Sequence, residues 1–331
     1  MIEIAKVKYF LYLVTGSGAL YRMTDFQQSL SWEENQGELA ARLQTTIRNQ
    51  SYNGTYITSL ASLGAKLLVY ADWGQGETEV FQGSIFTWDY KSAGKKDLTL
   101  TAYDNLIYTQ KSKDYRYYSA GTSSKTIILD IFQEWGVPVA TYEGPDVPMA
   151  KKPFKGDTLA SMVFEVLDDA KKKGAGKYIV RGAGGKVKIV PRGSNSVVYH
   201  FAADNNTIVT NDKLDIEDLV TRVKIVGSED KEGRAPIEAV LDGKTEFGIL
   251  QDIVHRAQDD TLAAAKASAQ DILDERGKPK RTTSLQAPDL PFLRKGDKIY
   301  VDAGNLTGYF YISGIQHDAT NRTMNMEVEE E

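Results

Sequence analysis

One segment has the residue types of a phosphate-binding loop. Gly121-Thr-Ser-Ser-Lys125-Thr126 contains a Lys-Thr pair and precedes a predicted helix, as such loops do. The glycine directly before the lysine is missing, and position 120 is alanine. Because the backbone N–H groups that cradle a phosphate depend on those glycines, the segment does not favour nucleotide binding. The glycines of 182–185 are better explained by a hairpin turn, and those of 174–176 by a helix stop.

The three histidines, His200, His255 and His317, are the next candidates for chemistry. None has a second histidine or a carboxylate at the spacing of a metal-binding helix. The sequence has no G-x-S-x-G elbow, although a Ser–His–Asp set assembled in space stays open because triads are recognised by geometry. We therefore expect structural or surface histidines.

Paired carboxylates and cysteines complete the search for catalytic groups. Asp168-Asp169 and Asp259-Asp260 lie at ends of predicted helices, where solvation and the helix dipole explain them. A glycosidase would need two carboxylates that face each other across a cleft, and a sequence alone leaves that open. The chain has no cysteine, which excludes disulfides, a thiolate nucleophile and cysteine-ligated zinc. We predict no catalytic, cofactor-binding or metal-binding residues, and no cofactor.

Four tryptophans, Trp32, Trp73, Trp88 and Trp135, could stack on sugars or bases. Three lie in predicted strands or hairpins and one lies on the apolar stripe of a predicted helix. Core packing is therefore the interpretation that the sequence favours for all four.

Charge is distributed unevenly along the chain. The net charge of −5 argues against a nucleic-acid binder that depends on phosphate contacts. Residues 151–192 contain eleven basic and four acidic side chains, so this segment carries +7 and the remaining chain carries −12. The asymmetry indicates parts that face different surroundings, with a solvated basic face as the simpler explanation.

The elements that would position these residues begin with a β-rich region. A length of 331 residues predicts two or three domains. Strands are predicted at 2–14, 20–23, 39–47, 66–71, 80–90 and 98–102, with a hairpin loop at Asp72-Trp-Gly-Gln-Gly. No stretch is long and apolar enough for a transmembrane helix, and the charged, alternating start is unlike a secretory signal. We expect residues 1–112 to form an antiparallel β-barrel.

The hydrophobic period changes in residues 113–196. Ile127 to Trp135 form the apolar stripe of a helix that starts at Ser123 and ends at Gly136. A second helix carries its stripe from Leu159 to Ala170 and is expected to be capped near Asp157. A hairpin follows at 178–181 and 186–191. This part is predicted to be a small, basic α/β insert.

Residues 197–331 return to a strand pattern. Strands are predicted at 197–201, 220–226, 237–240, 298–302, 308–316 and 323–329, and a helix is predicted at about 259–277. We expect a second β-barrel related to the first, which makes the chain α+β and mainly β.

Six stretches in a fixed order carry a resemblance to a known family. They are the Trp32 segment that runs to Arg42-Leu, Tyr103-Asp-Asn-Leu-Ile-Tyr108, 118–128, Trp135-Gly-Val-Pro138, Phe154-Lys-Gly-Asp-Thr-Leu159, and Leu293-Arg-Lys-Gly-Asp297 with its following strand. Gly308-Tyr-Phe-Tyr-Ile and His317 come after them. The chain resembles the XkdQ-like hub proteins of contractile phage tails and prophage elements, relatives of the late-control D proteins. One departure is Thr323-Met-Asn-Met, which lacks the histidine that relatives often have.

The resemblance implies a non-enzymatic tail or baseplate hub. Such hubs form a homotrimeric ring of two related, tail-tube-like β-barrels per chain, which adapts the hexameric tail tube to the trimeric spike and lines the DNA channel. The implied partners are the tail tube, the spike and other baseplate proteins, with DNA passing unbound. The implied location is the virion tail or a tail-like particle, after assembly in the host cytoplasm.

Two other functions remain as alternatives. A cell-wall (peptidoglycan) hydrolase at the tail tip would clear peptidoglycan, and a glycan- or nucleic-acid-binding module would use the basic insert. No motif in the sequence supports either one.

Overall fold

The structure is a computed structural model that describes residues 6–94, 96–203, 206–228, 232–256 and 261–331. The chain is mainly β with few helices, which confirms the predicted α+β class. The contacts divide it into two compact units, one of Met1–Thr210 with Ser284–Glu331 and one of Asn211–Thr283. The predicted division at residues 112 and 196 stays a prediction.

The first β region supplies nine strands of the described chain. They are β1 (Lys8–Val14), β2 (Leu20–Arg22), β3 (Gln27–Glu34), β4 (Arg42–Arg48), β5 (Ser51–Tyr52), β6 (Thr55–Tyr56), β7 (Lys66–Asp72), β8 (Thr78–Tyr90) and β9 (Asp97–Tyr103), with the short helices α1 (Ile57–Leu60) and α2 (Ile107–Lys111). Alternate residues of β4 are buried, because one face of an antiparallel sheet packs on the core. The predicted strand from residue 2 begins at Lys8, and residues 1–5 lie outside the described residues.

The predicted hairpin between β7 and β8 is confirmed. Asp72 Oδ1 accepts hydrogen bonds from the backbone N–H groups of Gly74 (2.8 Å) and Gly76 (3.1 Å). Gly74 has a φ of +99°, which a residue with a Cβ rarely adopts. The loop therefore depends on both the aspartate and the glycine.

The insert contains the two predicted helices and the predicted hairpin. Its elements are β10 (Lys113–Tyr118), α3 (Ser124–Glu134), β11 (Val139–Tyr142), β12 (Lys152–Thr158), α4 (Leu159–Lys172), β13 (Tyr178–Ala183) and β14 (Lys186–Pro191). Ser123 caps α3 as predicted, because its side chain accepts from the Thr126 N–H. The cap of α4 is Thr158 and not Asp157: Thr158 accepts from the Ser161 N–H, while Asp157 binds the Lys155 N–H.

The last third of the chain returns to strands. These are β15 (Tyr199–Ala202), β16 (Val209–Asp215), β17 (Arg222–Val226), β18 (Ile237–Asp242), β19 (Gln251–His255), β20 (Lys280–Pro288), β21 (Lys298–Ala303), β22 (Leu306–Asp318) and β23 (Thr323–Glu330). The helix α5 (Leu262–Arg276) is capped by Thr261, and the predicted start at Asp259-Asp260 lies outside the described residues.

One large sheet joins both β regions of the first unit. Its strands follow the order β20-β23-β22-β3-β4-β9-β8-β7-β1-β2, with β21 on β22 and β15 on β21. The link is β22 with β3, which pair antiparallel from Ile315 opposite Glu34 to Asp318 opposite Ser31. The two predicted β regions are thus hydrogen-bonded to each other, and their likeness as two barrels stays a prediction.

The second unit contains a three-stranded sheet and one helix. Its sheet has the order β18-β17-β19, and α5 packs on one face of it through Ala265, Ala269 and Leu273. Val223 and Ile225 of β17 are fully buried beneath the helix. This small core belongs to the unit itself.

The cap of α4 generates a prediction. Thr158→Ala should lower the free energy of unfolding by about 1 kcal/mol, because the Ser161 N–H loses its partner. Thr158→Ser should retain most of that stability. Chemical denaturation monitored by circular dichroism measures the difference.

The control is Asp157→Asn, which keeps an acceptor for the Lys155 N–H. It should lower stability by less than Thr158→Ala does. A larger loss from Asp157→Asn would return the capping role to the aspartate.

Candidate functional site

Ionisable side chains from three parts of the first unit meet in its interior. We call them the junction cluster: Glu34 of β3, Asp104 after β9, Arg181 of β13, and Arg294, Lys295 and Asp297 before β21. They come from the first β region, the insert and the last β region. Buried charges are rare unless they are paired, so this concentration is the main electrostatic feature of the interior.

Arg294 is the centre of the cluster. Its Nε donates to Glu34 Oε1 at 2.5 Å, and its Nη1 donates to the carbonyl oxygen of Gly182 at 2.8 Å. Its backbone N–H donates to Asp297 Oδ2 at 2.9 Å. One residue therefore links β3, β13 and the turn before β21.

Lys295 and Arg181 make the second and third links. Lys295 Nζ donates to the carbonyl oxygens of Asn35 (3.0 Å) and Glu38 (2.5 Å) in the loop after β3. Arg181 Nη1 donates to Asp297 Oδ1 at 2.9 Å. Gly296, with a φ of +90°, makes the left-handed turn that sends the two neighbouring side chains to these partners.

Two buried carboxylates of the junction cluster have pKa values shifted in opposite directions. Burial alone would raise the pKa of Glu34, but Arg294, Lys295 and Arg181 outweigh it and hold that pKa below its ordinary value. Burial raises the pKa of Asp104 to about 7. Hydrogen bonds from the backbone N–H groups of Ala41 and Leu106 and the charge of Arg294 lower this pKa, but burial outweighs them. Glu34 is therefore ionised near neutral pH, while Asp104 is near its midpoint.

A cavity of about 290 Å³ lies beside the cluster and is lined by Glu34, Glu79, Asp104, Gly182 and Arg294 among others. Two carboxylates with separated pKa values are the pattern of a general acid and its partner. Here Glu34 is held by Arg294, and a side chain at Gly182 would collide with Asp104 Oδ2. Glu34 accepts from Arg294, and Asp104 accepts from the backbone N–H groups of Ala41 and Leu106, so both carboxylates are already bonded within the protein.

His317 belongs to a second buried group near the β3–β22 link. Its Nδ1 lies 2.6 Å from Asp289 Oδ1, its Nε2 lies 3.1 Å from the carbonyl oxygen of Leu293, and its ring stacks on Trp32 at 4.6 Å between centroids. Tyr9 donates its hydroxyl to Asp289 Oδ2 at 2.5 Å. Every polar atom of the imidazole is engaged, as expected for a structural histidine.

The other sequence candidates are not brought together. The loop-like segment at 121–126 forms the turn and cap of α3, with Lys125 over the ring of Tyr142. His200 contacts Tyr300 on an exposed sheet face, and His255 lies on β19 of the other unit. Among the described residues, no group of three or more side chains is placed to hold a metal ion. None of the helices in the described ranges has the length and apolarity to cross a bilayer.

One of the four tryptophans departs from the prediction of core packing. Trp32 is buried, but Trp88 is 37% exposed. It lies in the part of β8 beyond Ser84, where pairing with β7 ends and only β9 continues alongside. The core-packing prediction is wrong for Trp88, because the sheet has no covering layer there.

Part of the basic excess of the insert is neutralised by ion pairs. Lys152 pairs with Glu165 and Asp169, acids that the net +7 already counts, whereas Arg181 and Arg192 pair with Asp297 and Glu329, which lie outside residues 151–192. Two of the eleven basic side chains therefore attach the insert to the last β region. The formal +7 overstates the charge available to a partner.

The junction cluster is absent from the sequence predictions. Its members are spread from residue 34 to residue 297, so no local period connects them. One signal was available: Arg294-Lys-Gly-Asp297 alternates charges around a glycine, and it lies in a stretch that carries the family resemblance. The sequence gives no means to find the partners of those charges.

Comparison with known proteins identifies the family of this chain. A family model described as YqbQ-like matches residues 30–329. The chain belongs to the YqbQ-like family. The protein YqbQ of Bacillus subtilis strain 168 is 24% identical over 280 residues, which cover 78% of this chain and 83% of that protein. The more specific resemblance to XkdQ-like hubs is not confirmed by these matches.

Two solved structures share the fold of this YqbQ-like chain. The prophage MuSo2 43 kDa tail protein of Shewanella oneidensis has a TM-score of 0.68 at 12% identity and covers 98% of both chains. A tail protein of Neisseria meningitidis MC58 has a TM-score of 0.67 at 14% identity, over 98% of this chain and 96% of that one. At sequence identities this low, the structural matches show that the fold is shared.

The raised pKa of Asp104 predicts a pH-dependent stability. A folded pKa above the unfolded value stabilises the protein at low pH, and this contribution is lost as the pH rises from about 4 through about 7. Asp104→Asn removes the titration. The difference in free energy of unfolding between the variant and the wild type should therefore change with pH. From pH 5 to pH 8 it should shift by about 1–4 kcal/mol in favour of the variant.

The matched control is Asp89→Asn, which alters an exposed aspartate of β8. Its stability should follow the wild type at both pH values. If Asp104→Asn also runs parallel to the wild type in urea titrations, the buried carboxylate has an ordinary pKa.

The Arg294–Glu34 pair predicts a non-additive double mutant. Arg294→Met should cost about 3–5 kcal/mol, because it leaves Glu34 buried without its cation. Adding Glu34→Gln removes that charge and should recover part of the loss. A double-mutant cycle measured by denaturation gives the coupling, and simple additivity would mean that the two side chains do not interact.

Proposed function

We propose that this chain is a structural hub of a phage tail or tail-like particle. In this proposal three copies form a ring that adapts the hexameric tail tube to the trimeric spike and surrounds the DNA channel. The observation that carries it is the likeness to a prophage tail protein over 98% of both chains, since the whole architecture is shared rather than one module. The six-stretch resemblance to contractile-tail hubs supports the same assignment.

The junction cluster suits the mechanical part of this role. A hub transmits force between the tube and the spike, so its parts must move together. Arg294, Arg181 and Lys295 cross-link the first β region, the insert and the last β region through buried bonds. Buried, fully bonded polar networks favour one arrangement of the parts that they connect.

Ring symmetry adds a requirement on the β regions. A trimer presents six similar edges to a hexameric tube only if each chain contains two like domains. We therefore propose that residues 1–112 and the parts of 197–331 that belong to the first unit are related barrels. The pairing of β3 with β22 sets these two regions side by side in one sheet.

The distribution of charge along the chain supports the proposal that DNA passes through the channel without binding to it. Outside residues 151–192 each chain carries −12, and acidic residues that face a water-filled channel would repel the DNA backbone. The basic face of the insert, with Lys171–Lys173 at the end of α4, would then lie on the outside of the ring and meet another baseplate or tube protein. The particle forms in the host cytoplasm and the chain remains in its tail.

The hydrolase alternative has one feature in its favour, the separated pKa values of Glu34 and Asp104. Both carboxylates are already bonded within the protein, so the non-enzymatic assignment is the better supported one. The glycan- or nucleic-acid-binding alternative would use the basic insert, whose charge is partly neutralised.

Deletion of the coding sequence tests the hub proposal. Induced cells should yield particles that lack complete tails by electron microscopy, because the tube has no base from which to assemble. The wild-type gene supplied in trans should restore them. Normal tails without the protein would contradict the proposal.

A turbidity assay separates the enzyme alternative. The purified chain should leave a peptidoglycan suspension unchanged, with a muramidase as the positive control. If the chain clears the suspension and Asp104→Asn abolishes the clearing, the hydrolase assignment replaces the structural one.

A further inference from the structure

An exposed two-stranded ribbon in the insert carries side chains that are unusual for a free surface. β10 and β12 pair antiparallel, with Tyr115 opposite Lys155 and Tyr117 opposite Pro153. Tyr115 is 71% exposed and Tyr117 is 63% exposed. We call the outward face of this pair the Lys–Tyr ribbon: Lys113, Tyr115, Tyr117, Pro153 and Lys155.

The opposite face of the same two strands is buried and fully bonded. Arg116 pairs there with Asp114, Asp130 and Glu134, and Phe154 packs into the core of the insert. Successive side chains of a strand point to opposite faces of the sheet. Because Arg116 and Phe154 are held on the buried face, their neighbours along β10 and β12 must point outward. The ribbon side chains are therefore presented on a firm support.

The composition of the ribbon is that of a protein contact. Two tyrosines and a proline make an apolar centre, and Lys113 and Lys155 stand at its margin. Aromatic centres with a charged rim are typical of protein interfaces, where tyrosine often contributes much of the binding energy. The two lysines at the margin are complementary in charge to an acidic partner surface.

The same chain offers such a surface elsewhere in the first unit. An open groove of about 530 Å³ runs beside β3, β22 and β23, and its lining includes Glu33, Gln316, Asn325 and Glu327. The lining contains two carboxylates and four amides, and no lysine or arginine. Arg42 pairs with Glu33, so Glu327 is the carboxylate that the groove offers to a partner. The Glu327 carboxylate lies over Gly314, where a Cβ would come within 3.4 Å of Oε2. We call it the acidic groove.

We propose that the Lys–Tyr ribbon of one copy docks into the acidic groove of a second copy. Lys155 would pair with Glu327, and the tyrosine hydroxyls would bond to the amides of Asn325 and Gln316. Two different, complementary patches on one chain make a head-to-tail contact, which closes into a ring when the rotation between copies allows it. The inference rests on the proposed hub only for the number of copies.

Charge reversal tests this contact in the full-length chain. Lys155→Glu and Glu327→Lys should each weaken self-association by about tenfold or more in sedimentation velocity, because like charges then face each other. The combined variant should restore most of the association. Lys171→Glu, an exposed lysine on α4, is the charge-matched control and should behave as the wild type.

A second variant removes the apolar centre without a change in charge. Tyr115→Ser with Tyr117→Ser should weaken association while the thermal unfolding midpoint stays the same, since both rings are outside the core. Failure of the combined charge variant to restore association would overturn the pairing. Retention of a double-stranded DNA probe that depends on Lys113 and Lys155 would identify a nucleic-acid surface instead.

The outcomes separate this inference from the hub proposal. A wild-type chain that stays monomeric at every concentration overturns the docking contact, whereas the deletion experiment still decides the role in the tail. A trimer that is unaffected by all ribbon and groove variants overturns the docking contact alone.

Discussion

The fold depends on one electrostatic constraint, the need to pair the charges that Arg294 and its neighbours place in the interior. An unpaired buried guanidinium or carboxylate costs several kcal/mol, so each member holds its partner's chain segment in place. Arg294 requires Glu34 of β3 and the carbonyl group of Gly182 in β13. The separation of Glu34 from Arg294 in sequence, with the insert between them, means that the cluster closes only when all three parts have folded.

Backbone pairing and aromatic packing reinforce the same closure. β22 pairs with β3, and at that step His317 stacks on Trp32 while Asp289 binds both His317 and Tyr9. The insert is tied in by Arg181 and Arg192, which reach carboxylates of the last β region. Three sequence regions thus become one compact unit, whereas residues 211–283 form their own core under α5.

Local patterns in the sequence predicted the elements whose stability is local. The alternation in β4, the Ser123 cap of α3 and the hairpin of β13 and β14 all follow from neighbouring residues. β10 was missed because Lys113 to Tyr118 is polar and its partner β12 is distant in the chain. The same separation concealed the ribbon, since Lys113, Tyr115 and Tyr117 lie on β10 whereas Pro153 and Lys155 come from β12. The junction cluster depends on tertiary contacts alone, so no periodicity could reveal it.

We propose that this chain forms a ring between the tail tube and the spike. Cryo-electron microscopy of intact particles tests it most directly, because copy number and position are seen together. The account predicts three copies of this fold around the tail axis, joined head to tail, with the tube on one side and the spike on the other. A particle without this chain at that position, or with six identical copies in the tube itself, would contradict it.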